Sequence, residues 1–168
     1  MLIEKIIGNI STHQATDKLL DKLELEWFET NKRILHRQTV SGVDVSLRLL
    51  DERNTLTEGD VLFEDDHSLV IIHILPCECI SLQPNSMSEM AAIAYEIGNK
   101  HLPLFFQDEK LLIPFEQPIF NILTAQGYEV KKEIHVLQHQ LKTTVSPHIS
   151  IGSGTVFSRV QKITGDEK

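Results

Sequence analysis

Ser86-Met87-Ser88-Glu89-Met90-Ala91-Ala92-Ile93-Ala94-Tyr95-Glu96-Ile97-Gly98-Asn99-Lys100-His101-Leu102-Pro103 carries a complete helix signal and a histidine just beyond it. Ser86 and Glu89 have the S-x-x-E spacing of a capping box, which starts a helix near Met87. Met90, Ile93, Ala94 and Ile97 recur at i, i+3, i+4 and i+7 and give that helix one apolar face. Gly98 is the expected terminator, because glycine takes the left-handed backbone without a steric penalty, and Pro103 keeps the helix from resuming. His101 then stands on a short exit loop or at a strand start. Such loops, held by rigid elements, present ligating and catalytic side chains. A structural histidine satisfied by its own partner is the plainer alternative.

Around this helix the second half of the chain reads as alternating strands and helices. Residues 79–82 form a strand before it. Residues 102–106 and 111–115 are apolar runs joined by Gln107-Asp108-Glu109-Lys110, and Glu116-Gln117-Pro118 opens a second helix with Pro118 suited to its first position. Ile119, Ile122 and Leu123 are the apolar face of that helix, Gly127 closes it, and Val130, Ile134 and Val136 belong to a last strand. Strand, helix, strand, strand, helix, strand is the order of a ferredoxin-like βαββαβ domain.

The first half is β-rich. Residues 2–10 are strand-like, and Leu23, Leu25 and Trp27 alternate with Glu24, Glu26 and Phe28. Residues 17–23 have room for a short helical turn. Residues 33–40 lead through Ser41-Gly42 into Val43, Val45, Leu47 and Leu49, which is a hairpin signal. Glu58-Gly59-Asp60 turns the chain into Val61-Leu62-Phe63, and an acidic stretch at Glu64, Asp65 and Asp66 separates it from a strand over residues 68–75. Many short strands predict a small barrel or sandwich. The expected fold class is α+β, with a β-rich domain over residues 1–75, a ferredoxin-like domain over 76–141 and a flexible C-terminal tail over 142–168. In that tail Pro147, Gly152, Gly154 and Gly165 lie among Ser and Thr and the periodicity fades.

The 168 residues, 41% hydrophobic and 24% charged, are enough for a buried core. A net charge of −8 argues against a nucleic-acid binder, whose footprint would be basic. No run approaches the ~18 apolar residues of a membrane span, and the N-terminus lacks the charged and apolar regions of a signal peptide, so the expected compartment is the cytoplasm. Cys77 and Cys79 are the only cysteines. At strand spacing their thiols share a face, yet neighbours this close rarely reach disulfide geometry. Two thiolates leave a tetrahedral metal site half empty, so both are read as small, reduced core residues.

The chain has eight histidines. His13, His36, His67 and His73 show no metal-ligand spacing, and His73 shares strand parity with Ile71 and Leu75, as a core or interface residue does. His135 and His139 are four apart, which allows a two-histidine face or two unrelated side chains. No Gly-x-Ser-x-Gly elbow, phosphate-binding loop or His-Glu-x-x-His helix occurs, and Gly152-Ser153-Gly154-Thr155 lacks the lysine and flanking elements of a phosphate cradle. An enzyme is therefore not expected. One imidazole holds a divalent ion poorly, but a two-fold axis beside His101 would pair it with its copy, and C2 dimers are the commonest oligomers. Imidazole suits nickel, copper and zinc, and so open a site fits carrying a metal better than burying one.

Glu96-Ile97-Gly98-Asn99-Lys100-His101-Leu102-Pro103, Ile113-Pro114-Phe115-Glu116, Pro118, Ile122-Leu123 and Gly127 resemble the UreE family, nickel metallochaperones of urease maturation. Leu25-Glu26-Trp27-Phe28-Glu29-Thr30 and Leu56-Thr57-Glu58-Gly59-Asp60-Val61-Leu62 are also similar to some members. The resemblance implies a β-rich domain of peptide-binding character and a ferredoxin-like metal-binding domain that forms a homodimer. It implies a central Ni2+ ligand at His101, with Lys100 where arginine is more usual, and Zn2+ or Cu2+ as ions the site would also accept. Urease apoprotein and the other urease accessory proteins, including the accessory GTPase, are the implied partners, with no nucleic acid and no membrane. Members of the family commonly carry further histidines in the tail. Here His148 is the only one after His139, which makes it the candidate auxiliary ligand and argues against bulk nickel storage. The competing expectation is a metal-independent peptide-binding or co-chaperone module, which would leave His101 idle.

Overall fold

The computed structural model describes residues 1–12, 18–49 and 55–141, so His13, His148 and the tail expected over 142–168 lie outside the described residues. The first half contains β1 (Leu2–Ile3), β2 (Gly8–Asn9), β3 (Leu19–Leu25), β4 (Ile34–Gln38), β5 (Asp44–Arg48), β6 (Asp60–Glu64) and β7 (Ser68–Ile74). They form two sheets, β1-β5-β4 and β2-β6-β7-β3. Alternation explains why the sheets close on each other. Val45 and Leu47 of β5, Leu23 and Leu25 of β3, and Val70, Ile72 and Ile74 of β7 all point into one buried cluster with Leu35 and Leu62. At ~1.5 to 3 kcal/mol for each fully buried side chain, that shared core outweighs the weak local preferences of such short strands. Of the two all-β forms expected, the sandwich is the one adopted.

Three local expectations are corrected here. Residues 2–10 are two dipeptide strands in different sheets, not one strand. Residues 17–23 hold no helical turn among those described, because β3 runs from Leu19 and pairs in parallel with β7, from Leu19 opposite Ser68 to Leu25 opposite Ile74. Alternation also stops before Trp27, where Trp27–Glu29 make a single 3-10 turn. The buried Glu29 carboxylate holds that turn by accepting the Glu26 N–H at 3.2 Å and pairing with Lys32 and Arg37. The expected hairpin around Ser41-Gly42 is present, with β4 and β5 antiparallel from Ile34 opposite Arg48 to Gln38 opposite Asp44.

The second half has β8 (Cys77–Leu82), α1 (Met87–Asn99), β9 (Phe105–Gln107), β10 (Lys110–Pro114), α2 (Gln117–Ala125) and β11 (Val130–His135), which is the ferredoxin-like order expected. The sheet order is β11-β8-β10-β9, antiparallel throughout. Both helices pack on one face, where Ile80, Leu82, Leu111 and Ile113 meet Ile93, Ile97 and Leu123. Consecutive left-handed residues Asp108 and Glu109 make the tight β9–β10 turn. The opposite face of the sheet buries Cys79, Phe105, Leu112 and Leu137 against Trp27, whose ring meets that of Phe105 edge-on at 5.6 Å. Trp27 thus joins the two halves.

The chain leaves β11 at one edge of the sheet and ends up at the other. Leu137 is buried as it crosses, and Gln107 grips the crossing segment by donating to the Val136 carbonyl at 3.1 Å and accepting the Gln138 N–H at 2.7 Å. His139, left-handed at φ 57, turns the backbone along the outer edge of β9. There Gln140 bridges Phe105 in antiparallel sense, and the Leu141 N–H donates to the Leu104 carbonyl at 2.7 Å.

Candidate metal centre

Helix α1 presents the candidate ligand. Ser86 caps its start, accepting the Glu89 N–H at 3.1 Å, while the Glu89 carboxylate reaches back to the Asn85 N–H at 2.7 Å. Its other end differs from the expectation that Gly98 terminates it. Gly98 is helical, the helix continues through Asn99, and the left-handed residue is His101 itself, at φ 56. The His101 N–H donates to the Gly98 carbonyl at 3.0 Å and the Leu102 N–H to the Ile97 carbonyl at 3.3 Å, the paired bonds of a Schellman turn. Leu102 then packs into the core that contains Ile97, which pins the turn from below. The expected Gly127 closure is present in α2, where Gly127 takes φ 86.

The His101 imidazole is exposed and has no side-chain hydrogen bond or ion pair among the described residues. A satisfied structural histidine, the plainer alternative, would have a partner, and the described residues supply none to its side chain. Other imidazoles do have such partners: His36 with Ser46 at 2.9 Å, His73 with Glu58 at 3.0 Å, and His135 with Glu133 at 2.9 Å. Strand β11 ends at His135 and His139 lies exposed at the opposite sheet edge, so these two are unrelated, as one of the two readings expected. Lys100 pairs with Glu96 at 3.7 Å, and Glu96 also accepts from Gln126 at 2.6 Å, which ties the ends of α1 and α2 together beside His101.

An uncovered surface leads up to this turn. The exposed residues of α1 are Met87, Ser88, Ala91, Ala92, Tyr95, Gly98 and Asn99, and none is charged, although the chain carries a net charge of −8. Met87 is 91% exposed and Tyr95 74%. Charged side chains normally occupy the solvent face of a helix, so an exposed face without them stands out. The i, i+4 spacing of Met87, Ala91 and Tyr95 beside the core face is the sequence signal for it.

Among the described residues no three metal-ligating side chains of one chain converge. Cys77 and Cys79 are free thiols on the sheet face under Trp27. Burial pushes the Cys79 thiol up to about 11, helped by Cys77 and Glu133, and burial also raises Cys77. Protonated, shielded sulfurs are poor ligands. On β11, hydrogen bonds from His135 and Ser81 hold Glu133 down to about 2, and Lys110 adds to this at 3.3 Å, so its carboxylate is already engaged. No helix among the described residues is long and apolar enough to cross a membrane.

Comparison with known proteins adds the following. The sequence model for the UreE urease accessory protein N-terminal domain matches residues 3–75, and that for the C-terminal domain matches residues 77–146. The urease accessory protein UreE of Flavobacterium johnsoniae is 39% identical over 163 residues, covering 97% of this chain and 99% of that protein. The protein of the same name from Helicobacter pylori strain G27 is 36% identical over 170 residues, with 96% and 100% covered. The one from Haemophilus influenzae strain PittGG is 38% identical over 145 residues, with 84% and 78% covered.

Proposed function

This chain belongs to the UreE family of urease accessory proteins, and on that premise we propose that it is a cytoplasmic nickel metallochaperone delivering Ni2+ to urease apoprotein alongside the other accessory proteins, including the accessory GTPase. One observation carries the reading: an exposed imidazole, His101, without a side-chain partner among the described residues, held in a helix-end turn beside an uncharged helix face. In this reading residues 1–75 are the peptide-binding-like half, 76–141 the metal-binding and dimerising half, and 142–168 the tail.

The chemistry follows from the ligand count. Two copies packed through the α1 face bring their His101 rings to the two-fold axis, and a nickel ion bridges them. Nickel accepts more ligands than two imidazoles supply, which leaves places for His148 of the tail. Zn2+ and Cu2+ are accepted by the same donors, since imidazole suits all three. With few ligands and open positions the ion is captured reversibly, as transfer to a recipient protein requires. Imidazole binds metal only when neutral, so protons compete with the ion for these donors.

Equilibrium dialysis against nickel tests this. Wild type is expected to retain nickel and His101→Ala to lose the tight site; retention by the variant would contradict the assignment. The alternative, a metal-independent peptide-binding module, draws on one observation in the first half. An open groove of about 610 Å³ there is lined by Leu19, Leu20, Val40, Val43 and Val70. It accounts for that half and leaves the His101 turn without a role.

A further inference from the structure

We infer that Glu96 and Lys100 form a charge balance that sets how tightly His101 holds nickel, with Glu96 as the counter-charge to the ammonium next to the ligand. This inference rests on the reading of His101 as a nickel ligand. Imidazoles aside, the only charged side chains between Met90 and Gln107 are Glu96 and Lys100, and between Gln117 and Tyr128 there are none. A divalent ion at His101 therefore meets these two formal charges from the last turns of α1 and none from α2. Lys100 Nζ lies 3.7 Å from Glu96 Oε1, and that same oxygen accepts from Gln126 Nε2 at 2.6 Å. The carboxylate is thus fixed at the end of α1 by a residue from the end of α2. Lys100, the C-cap of α1, is drawn back along the helix toward it.

Stability does not account for this pair. Both side chains are partly exposed, and an exposed ion pair one helical turn apart contributes little to folding. Its effect on an incoming ion is larger, because Coulomb energy follows the product of the charges and a divalent ion counts double. The ammonium belongs to the residue before the ligand, so its charge acts on an ion at His101 over a range comparable with the ~10 Å screening length of about 0.1 M salt. Glu96 cancels that repulsion to first order. The imidazoles then hold the ion by coordination alone, neither repelled nor trapped by fixed charge, which suits capture followed by transfer. In a dimer closed through the α1 face a pair from each chain flanks the ion, and both act in the same sense.

Glu96→Gln removes the negative charge and keeps an oxygen to accept from Gln126, while Lys100→Met removes the positive charge and keeps an apolar stem. Nickel titrations are made on full-length wild type, each single variant, the double variant and His101→Ala. Each is run at about 0.01 M and about 1 M salt, where the screening length is about 30 Å and about 3 Å. In low salt Glu96→Gln is expected to weaken binding by about threefold to tenfold, Lys100→Met to tighten it by a similar factor, and the double variant to return to within about twofold of wild type. In high salt the two single variants and the double variant are expected to converge on wild type. Losses in both single variants that add in the double and survive high salt would show structural damage and overturn the balance. Equal affinities in low salt would also overturn it, and the nickel assignment stands in that case if His101→Ala still loses the tight site. If His101→Ala binds as wild type does, the ligand reading of His101 fails and takes the balance with it.

Discussion

His101 stands at the end of α1 in the same left-handed position that Gly127 takes at the end of α2. Both turns make the same two bonds: Gly127 N–H to the Thr124 carbonyl and Tyr128 N–H to the Leu123 carbonyl in α2, matching His101 to Gly98 and Leu102 to Ile97 in α1. Glycine is the low-energy choice at that place, so α1 keeps a histidine against local preference. His101→Gly should therefore raise stability by roughly 1 kcal/mol, while His101→Ala should not, because alanine keeps the left-handed strain. Both should lose the nickel site. Urea midpoints for the three proteins check this; a destabilised glycine variant would mean the ring packs on something in the folded protein.

Tyr95 is the residue to test on the uncovered face of α1. A lysine there leaves the isolated chain intact, since the ring is 74% exposed, but puts two like charges together if copies pack through this helix. Tyr95→Lys should weaken the dimer at least tenfold with the unfolding transition of the monomer unchanged. Light scattering across a dilution series reads this directly, and an unaltered dimer would move the interface elsewhere.

Glu133 gives a stability effect in acid. Its carboxyl is held at about 2, below the ordinary 4.5, by hydrogen bonds from His135 and Ser81 and by Lys110. A depressed folded-state value stabilises the fold above pH ~4.5, and that contribution fades as pH falls toward ~2. Glu133→Gln should be less stable than wild type at pH 6, with the gap closing across that window. Denaturation midpoints that stay equally far apart at pH 6 and pH 2.5 would rule the linkage out.

Buried and pushed up to about 11, the Cys79 thiol should resist alkylation at pH 8 in the folded protein, and half-buried Cys77 should react slowly. Both should label fully in denaturant, with no disulfide to reduce first. Mass spectrometry after iodoacetamide treatment decides it; rapid native labelling at Cys79 would show that the Trp27 contact opens.

Local signals were readable in the sequence and nonlocal ones were not. Ser86 and Glu89 marked the start of α1, and Ser41-Gly42 the β4–β5 hairpin, because caps and tight turns are set by residues a few positions apart. Gly98 misled because glycine permits a left-handed conformation without requiring it; the stop is set by Leu102, which must reach the core with Ile97. Residues 19–25 became a strand because β7, about fifty positions later, supplies the parallel partner. The bond from Leu141 to Leu104 joins residues that are also far apart in the chain and leaves no local mark. His101 itself was legible as a candidate, but its left-handed backbone and the lack of a side-chain partner among the described residues are set only by the folded chain.

The most direct test is a nickel titration of the full-length protein with molar mass measured on the same samples. One tightly held nickel ion for every two chains is expected, with a dimer in solution and loss of that ion in His101→Ala with the dimer retained. One nickel held by a single chain, or equal nickel affinity without His101, would contradict it.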